Sequence, residues 1–239
     1  MRGVVVVFAK APRAGLVKTR MTPPLSPAEA AELYTCLLDD VLEATAESAR
    51  RLGLDAVVAV HPAEACAEIA RRAPPIFRAV AQHGQDLAQR MRWAVSEAAA
   101  GGFTPVLLRG SDSPALDLST FEEALAGLER EDVVISPDLD GGYNLIGLRT
   151  PAPALFDHPM STGSVLADTL SSASSLGLRA RILRGGFDLD TAADLQWLAE
   201  ARRSGTPPCP RTLSFLDEHA LWRYATLPPR PLQAALSTK

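Results

Sequence analysis

Short apolar runs alternate with longer segments of helical periodicity along this chain. The first run, residues 4–8, is rich in β-branched residues, which is typical of a strand buried on both faces. Ser26, Pro27 and Glu29 then predict a capped helix start with Ser26 as the N-cap, and apolar residues follow at helical spacing. The same criteria predict further strands at 56–60, 76–80, 106–108, 133–135, 145–148 and 181–183, and further helices at 63–72, 86–99, 164–176, 191–201 and from Thr120 onward.

The alternation of strands and helices predicts an α/β fold. We expect three αβα layers around a doubly wound, mainly parallel sheet, in which ligands bind beyond the carboxyl ends of the strands. Residues 1–204 are predicted to form one domain. A proline-rich extension, residues 205–239, follows it, with a short helix at 213–224 and a loose final stretch of about ten residues.

Composition and charge restrict the class of partner. The 239 residues carry a formal net charge of −4, so the overall charge favours neither nucleic acid nor an anionic membrane as a partner. The apolar run at 4–8 is too short for the core of a signal peptide, and no stretch is long enough to cross a bilayer, so we expect a cytoplasmic protein. Three widely spaced cysteines without a C-x-x-C pair argue against a disulfide framework or a thiolate zinc site.

Basic residues are concentrated in the loop that follows the first strand. This loop, residues 8–20, holds four basic residues and a glycine, namely Lys10, Arg13, Lys18, Arg20 and Gly15. A loop between a strand and a helix presents free backbone N–H groups, and together with basic side chains these suit a di- or triphosphate. The alternative is a solvated surface loop. The loop has neither the P-loop spacing nor a G-x-G-x-x-G fingerprint.

Acidic residues follow two other predicted strands. Asp112 in the segment 110–114 could reach a divalent ion that bridges phosphate oxygens, since Mg²⁺ favours few carboxylates plus phosphate and water ligands. It could equally cap a turn. Asp188 and Asp190 alternate by two and would point to the same side of an extended backbone. They could complete a metal site with Asp112. The alternative is helix capping, with Thr191 or Asp190 as the N-cap and Asp194 in the first turn.

Two further segments could contact the rest of a substrate. The segment 140–144 contains paired glycines, which let the backbone approach a ligand closely, while Tyr143 and Asn144 could contact a sugar or an acceptor. A hairpin turn is the alternative for this segment. The segment 83–90 opens a helix whose free N–H groups could contact a base edge, although Arg90 could equally lie on the helix surface.

Taken together, these motifs resemble the DUF2064 family of glycosyltransferase-A-fold proteins. That family is similar to the 2-phospho-L-lactate guanylyltransferases and, more distantly, to the molybdenum cofactor guanylyltransferases. The resemblance covers roughly residues 1–200 and is less specific for the reaction than for the fold, because this fold serves many chemistries. Its motifs are Phe8-Ala9-Lys10-Ala11-Pro12 with Lys18-Thr19-Arg20, Gly110-Ser111-Asp112 with Pro114, Asp140-Gly141-Gly142-Tyr143 with Leu145-Ile146-Gly147, and Asp188-Leu189-Asp190-Thr191.

The resemblance implies roles for most of these residues. Lys18, Arg20 and Asp112 would be catalytic, and Asp112, Asp188 and Asp190 would hold Mg²⁺ or Mn²⁺. The expected nucleotide-binding residues are Ala9, Lys10, Gly15, Lys18, Arg20, Gly84, Leu87, Arg90 and Ser111. The expected acceptor-binding residues are Asp140, Gly141, Gly142, Tyr143 and Asn144, and Met160-Ser161-Thr162-Gly163 resembles a family segment that could also touch the acceptor.

The sequence therefore predicts a metal-dependent nucleotidyltransferase. It would move a nucleoside monophosphate from a nucleoside triphosphate to a small phosphorylated or acidic acceptor and release pyrophosphate. Asn144 favours GTP, because many DUF2064 members carry an aromatic residue there whereas the guanylyltransferases carry Gly-Gly-Thr-Asn. The alternatives are a glycosyltransferase that uses a nucleotide-sugar and a non-catalytic nucleotide-binding protein, and a homodimer is left open.

Overall fold

The sheet is the centre of the fold. The computed structural model describes residues 2–205 and 207–225, and within them seven strands form one sheet in the order β3-β2-β1-β4-β6-β5-β7. The strands are β1 Arg2–Lys10, β2 Asp55–His61, β3 Phe77–Ala81, β4 Phe103–Gly110, β5 Val133–Pro137, β6 Tyr143–Leu148 and β7 Ala180–Ile182.

Helices fill most of the connections between these strands. The α-helices are α1 Pro27–Leu52, α2 Cys66–Arg72, α3 Leu87–Ala100, α4 Leu118–Leu128, α5 Val165–Ser175, α6 Leu195–Ser204 and α7 Pro210–Glu218. Short 3-10 turns lie at Thr19–Met21, Ala63–Ala65, Pro153–Phe156, Ala192–Asp194 and Leu221–Tyr224. None of the helices in the described part of the chain is long and apolar enough to cross a membrane.

The sheet is mainly parallel, as predicted. β1 pairs in parallel with β2 and β4, β2 with β3, and β5 with β7. β6 is the exception and runs antiparallel to both β4 and β5. The reason is the short connection 138–142 between β5 and β6, because a tight turn can join only antiparallel strands.

Alternate residues of β1 support two separate cores. Val5 and Val7 point to the side of the sheet covered by α1, and Val4 and Val6 point to the side covered by α3. All four are nearly inaccessible to solvent, which explains why the run at 4–8 is continuously apolar. The predicted three-layer, doubly wound α/β architecture is therefore confirmed.

The predicted helix start holds at α1 and needs correction at α4. Ser26 caps α1 through a complete capping box with Glu29, as predicted. The expected start of α4 at Thr120 is wrong, because Asp117 is the N-cap and its carboxylate accepts the N–H of Thr120. An aspartate is as good a cap as a threonine, so the earlier residue starts the helix.

The proline-rich segment contains a helix that packs on α1. α7 begins at Pro210, earlier than the predicted 213, because Asp40 of α1 accepts the N–H and the hydroxyl of Thr212 at 2.7 and 2.8 Å and so caps the helix. The division into a domain at 1–204 and an extension at 205–239 stays a prediction. The expected loose end falls within residues 226–239, outside the described residues.

Candidate functional site

Three loops meet at the carboxyl edge of the sheet. The ends of β1 and β4 are neighbours, since Phe8 lies opposite Gly110 in the parallel register. The segment after β7 joins them, because the N–H of Leu189 donates to the carbonyl of Asp112 at 2.9 Å. This edge is where an open α/β sheet forms its ligand crevice.

Lys18, Asp112, Asp190 and Arg20 form an ion cluster at this edge. The Lys18 ammonium contacts the carboxylates of both Asp112 and Asp190, the latter at 3.1 Å, and the Arg20 guanidinium contacts the other oxygen of Asp190. The Lys18 side chain is 2% exposed, whereas those of Asp112 and Asp190 are 36% and 24% exposed. The two acids therefore reach solvent while the ammonium between them does not.

The charges of Lys18 and Asp190 stabilise each other. Burial by itself lowers the pKa of Lys18, but the carboxylates of Asp112 and Asp190 outweigh it and raise that pKa above its ordinary value. Burial likewise opposes ionisation of Asp190, but Lys18 and Arg20 lower its pKa below the ordinary range. Lys18 thus carries its proton and Asp190 lacks one.

The backbone of Lys18 is held in an uncommon conformation. Its φ of 47° lies in the left-handed region, where a residue with a Cβ is strained. Val17 next to it is buried in the core on the α1 side, which anchors the loop and directs Lys18 towards the acids. Strain of this kind persists only where surrounding contacts impose it, and it is typical of functional loops.

Tyr34 of α1 aligns two of the site loops. Its hydroxyl accepts the N–H of Lys10 at 2.9 Å and pairs with the hydroxyl of Ser111 at 2.8 Å. Burial raises the pKa of Tyr34 to about 12, so the phenol stays neutral and can donate. From the sequence Tyr34 is one more member of the apolar face of α1, and only its hydroxyl distinguishes it from the leucines around it.

Arg109 fixes the loop that carries Asp112. Its guanidinium is buried within β4 and donates to the carbonyls of Gly110 and Ser113 at 3.1 and 3.0 Å and to the hydroxyl of Thr45 at 3.0 Å. Burial lowers its pKa to about 10, an effect that the nearby Asp188 opposes, so it remains charged. The sequence analysis did not single out Arg109, because an arginine at the end of a strand gives no indication that it points inward.

Asp188 is half-buried and forms hydrogen bonds outside the ion cluster. Its carboxyl group accepts the hydroxyl of Ser113, and its N–H donates to Asp138 at 3.0 Å. Burial and the neighbouring Asp138 raise the pKa of Asp188 well above its ordinary value. Asp138 itself, which the sequence analysis also missed, has its pKa raised to about 7 by burial and by Asp140. The two acids form a protonatable pair next to the ion cluster.

The turn at 140–142 packs against a second loop. Asp140 accepts the N–H of Gly142 at 3.0 Å, and Gly141 adopts a φ of 91° with its carbonyl accepting the N–H of Leu166. A Cβ on Gly141 would overlap the carbonyl of Gly163. The structure therefore brings the Gly-Gly turn together with the segment 160–163, which the resemblance also associates with the acceptor.

Asn144 is a buried polar residue of this region with unused hydrogen-bonding groups. It is 2% exposed, and within the described residues neither atom of its amide has a hydrogen-bond partner. It lies against Gly186, where a Cβ would overlap the amide nitrogen. Tyr143 next to it packs into the apolar cluster on the α3 side. A buried amide without partners is costly, so Asn144 is suited to bind a ligand or an ordered water.

The segment predicted to lie near a base is attached to the same edge of the sheet. The amide of Gln82 donates to the carbonyls of Ala9 and Ala59 at 3.1 and 2.8 Å, which ties the end of β3 to β1 and β2. Gly84 has a φ of 135°, and its carbonyl accepts the Nε of Arg90 at 3.1 Å. Leu87 is the first residue of α3. Gly84, Leu87 and Arg90 thus form one compact loop and helix start.

The remaining loop residues are placed differently from one another. Ala9 is fully buried, and its carbonyl is taken by Gln82, so it supports the loop. Lys10 and Gly15 are exposed. Arg13 pairs with Glu68 of α2. Only part of the basic loop is thus directed towards the acids.

The acids fit a divalent ion that shares its coordination with a substrate. The carboxylates of Asp112 and Asp190 converge on one point, the Lys18 ammonium, and oxygen donors in small number suit Mg²⁺ or Mn²⁺ bound to phosphate oxygens. Among the described residues, no group of three or more His, Cys, Asp or Glu side chains is arranged to hold a metal. Asp188 would have to leave the hydroxyl of Ser113 before it could join them, and its raised pKa opposes ionisation.

Comparison with known proteins places this chain in a family. Residues 44–162 match the family described as "Uncharacterized protein conserved in bacteria (DUF2064)". A solved structure from Desulfovibrio desulfuricans G20, provisionally described as a nucleotide-diphospho-sugar transferase, is 31% identical, with a TM-score of 0.85 over 94% of this chain and 99% of that one. The chain belongs to the DUF2064 family. No curated protein sequence matches this DUF2064 chain significantly.

More distant structures share the fold of the DUF2064 chain. A cytidylyltransferase from Leptospira borgpetersenii is 11% identical, with a TM-score of 0.57 over 96% of this chain and 99% of that one. A nucleotidyl transferase from a Methanothermobacter species is 19% identical, with a TM-score of 0.54 over 86% of this chain and 100% of that one. At such identities the likeness shows a fold of the nucleotidyl- and glycosyltransferase type and not a shared reaction.

Proposed function

We propose that this DUF2064 protein is a metal-dependent nucleotidyltransferase. The observation that carries the proposal is the cluster of Lys18, Arg20, Asp112 and Asp190 at the carboxyl edge of the sheet. It unites two cations suited to a triphosphate with two carboxylates suited to a divalent ion. The fold shared with nucleotidyl- and glycosyltransferases supports a transferase.

The residues of the cluster would act by charge. An ionised phosphate or carboxylate oxygen of the acceptor attacks the α-phosphorus, and the bond to the β-phosphate oxygen breaks with its electron pair going to pyrophosphate. Lys18 and Arg20 would hold the phosphates and stabilise the leaving group. Asp112 and Asp190 would hold Mg²⁺ or Mn²⁺, which neutralises phosphate charge. An acceptor that is already ionised needs no general base.

The neighbouring segments supply places for base and acceptor. The compact segment 82–90 lies beside the ends of β1 and β2, where a base would extend from the phosphates. The turn at 140–142 and the partnerless amide of Asn144 border the other side. An amide offers both a donor and an acceptor to a polar small molecule. Guanine remains the base that the family resemblance favours.

A ligand panel tests this proposal. The midpoint of thermal unfolding would be measured with each nucleoside triphosphate, UDP-glucose and GDP-mannose, with and without Mg²⁺ or Mn²⁺. A ligand at about a hundred times its dissociation constant adds roughly 2.7 kcal/mol to the free energy of unfolding, which moves the midpoint measurably. A metal-dependent shift with one triphosphate supports the nucleotidyltransferase, and the absence of a shift with every triphosphate counts against it.

A glycosyltransferase is the second candidate, and Asp138 is the observation that favours it. Transfer of a sugar to a hydroxyl requires a proton acceptor, and a carboxylate whose pKa is raised to about 7 by burial suits that task. The description of the Desulfovibrio protein points the same way. A thermal shift with a sugar nucleotide and with no triphosphate would favour this candidate.

A further inference from the structure

The groups expected to bind substrate and metal bind one another in this structure. Lys18 and Arg20, which would hold phosphates, contact Asp112 and Asp190, which would hold the divalent ion. Two positive and two negative charges therefore cancel within the cluster. A site that is neutral and internally paired attracts neither a lone anion nor a lone cation strongly.

The Lys18 ammonium lies where both carboxylates converge. Because it contacts Asp112 and Asp190 together, a divalent ion cannot reach both acids while the ammonium stays between them. The acids themselves are open to solvent, with side chains 36% and 24% exposed, so access from outside is not what excludes an ion. The obstacle is the charge of Lys18.

The side chain of Lys18 can carry the ammonium away from the acids while the loop backbone stays anchored by Val17. Lys18 follows the exposed Gly15 and the largely exposed Leu16, and its own side chain is a flexible four-carbon stem. Arg20, the other cation of the cluster, is half-exposed. A phosphate chain at this edge would offer both cations more negative charge than a pair of carboxylates does.

We propose that Lys18 is an internal counter-ion that excludes divalent cations until a phosphate chain binds its ammonium. The nucleotide and the metal then enter as a pair. Phosphate binding draws the cations away from the two carboxylates that the metal needs, and metal binding draws the carboxylates away from the cations that the phosphates need. This proposal rests on the proposed function for the identity of the phosphate ligand. It concerns the order in which the site fills and not the chemistry that follows.

Binding of Mn²⁺ to the full chain without nucleotide tests the proposal. Calorimetric titration or the electron paramagnetic resonance of free Mn²⁺ would measure the dissociation constant for wild type and for Lys18→Met. Methionine keeps the length of the side chain and the Cβ at the left-handed position but removes the charge. We expect Lys18→Met to bind Mn²⁺ at least about tenfold more tightly than wild type, as loss of a unit positive charge beside both ligands requires.

Two further variants distinguish the direct contact of Lys18 with the carboxylates from the effect of the overall charge of the protein on Mn²⁺ binding. Arg130→Met removes one positive charge from an exposed position before β5, at the opposite edge of the sheet, and we expect it to change Mn²⁺ affinity by less than about threefold. The double variant Asp112→Asn with Lys18→Met should not show the tighter Mn²⁺ binding that is expected for Lys18→Met alone. Far-UV circular dichroism checks folding, and Lys18→Gln replaces Lys18→Met if that variant does not fold.

The outcomes are distinct from those of the ligand panel. Tighter Mn²⁺ binding in the Lys18 variant with no such gain in Arg130→Met supports the counter-ion, even if no nucleotide shifts the unfolding midpoint and the proposed function fails. Equal Mn²⁺ affinity in wild type and the Lys18 variant overturns it, even if a triphosphate binds. An equal gain in Arg130→Met also overturns it, because the loss of one positive charge anywhere would then suffice.

Discussion

At the level of single residues, the site depends on charges that burial fixes in place. Lys18 is almost inaccessible, Arg109 is buried behind the loop it supports, and Asp188 is held by Ser113. Each of these groups has a protonation state set by its neighbours and not by solvent. Substitutions that keep the shape of a side chain and change its charge are therefore the most informative ones.

Asp112→Asn should remove the metal-dependent part of nucleotide binding. The amide keeps the size of the side chain but is a poor ligand for a divalent ion. We expect the thermal shift with nucleotide and Mg²⁺ to fall to the value without Mg²⁺, while the midpoint of the free protein changes little. Glu122→Gln, on the exposed face of α4, is the matched control. A metal-dependent shift that survives in Asp112→Asn would mean that Asp112 is not a ligand.

The free energy of unfolding should fall as the pH rises from about 4 to about 7. Burial and Asp140 raise the pKa of Asp138 to about 7, whereas the unfolded chain leaves it near its ordinary value. Between those pH values the folded state binds more protons than the unfolded state. The stabilisation that protonated Asp138 contributes is therefore fully present below this pH range and is lost as the pH rises through it. Urea denaturation across this range measures the slope, and Asp138→Asn should flatten it.

Asp132 provides a control, because its pKa is shifted in the direction opposite to that of Asp138. A hydrogen bond from the backbone of Arg179, together with Arg149, lowers the pKa of Asp132, so its contribution is lost as the pH falls. Asp132→Asn should therefore not flatten the decline of stability between pH 4 and 7 that is attributed to Asp138. If Asp138→Asn leaves the slope unchanged, the raised pKa of Asp138 is contradicted.

At the level of elements, the sequence predicted the strands and helices more completely than it predicted the residues of the site. The strands and helices follow apolar spacing and capping residues such as Ser26, which act locally and can be found in the sequence. The roles of Tyr34, Arg109 and Asp138 were missed because they depend on partners far along the chain, which are Ser111, Thr45 and Asp188 respectively. Lys18, Asp112 and Asp190 could be predicted as site residues because unusual charge in loops after strands is itself a local pattern, and the structure brings these three together.

The Gly-Gly turn should tolerate no side chain at Gly141. A Cβ there would overlap the carbonyl of Gly163, in addition to the strain of a φ of 91°. We expect Gly141→Ala to lower the free energy of unfolding by about 2–4 kcal/mol. Gly177→Ala is the control, since Gly177 has a φ of 69° but open space around it, and should cost about 1 kcal/mol. Equal losses from urea denaturation would show that the overlap does not matter.

The packing of α7 on α1 should depend on Asp40. Its buried carboxylate accepts the N–H and hydroxyl of Thr212, and Arg211 contacts it as well. Asp40→Ala leaves the Thr212 groups buried without a partner, so we expect a loss of about 2–3 kcal/mol in urea denaturation. Glu43→Ala, at an exposed position one turn along α1, should change stability by less than about 0.5 kcal/mol. A similar effect of both variants would contradict the capping role.

At the level of the whole molecule, the fold brings distant parts of the chain to one edge. Lys18 comes before the segment 44–162 that matches the family and Asp190 comes after it, while Asp112 lies inside it. The parallel sheet joins them, because the loops that follow parallel strands lie on the same side. The cluster is therefore a property of the complete sheet and its crossovers, which explains why no single loop of the sequence was decisive.

The most direct test of the central claim is nucleotide binding by the Lys18 and Arg20 variants. Calorimetric titration with Mg²⁺ and the triphosphate that gives the largest thermal shift would compare wild type with Lys18→Ala and with Arg20→Ala. We expect each variant to bind at least about tenfold more weakly, since each loses a charged hydrogen bond to phosphate. Unchanged affinity in both variants would mean that nucleotide does not bind at this cluster and would contradict the proposed function.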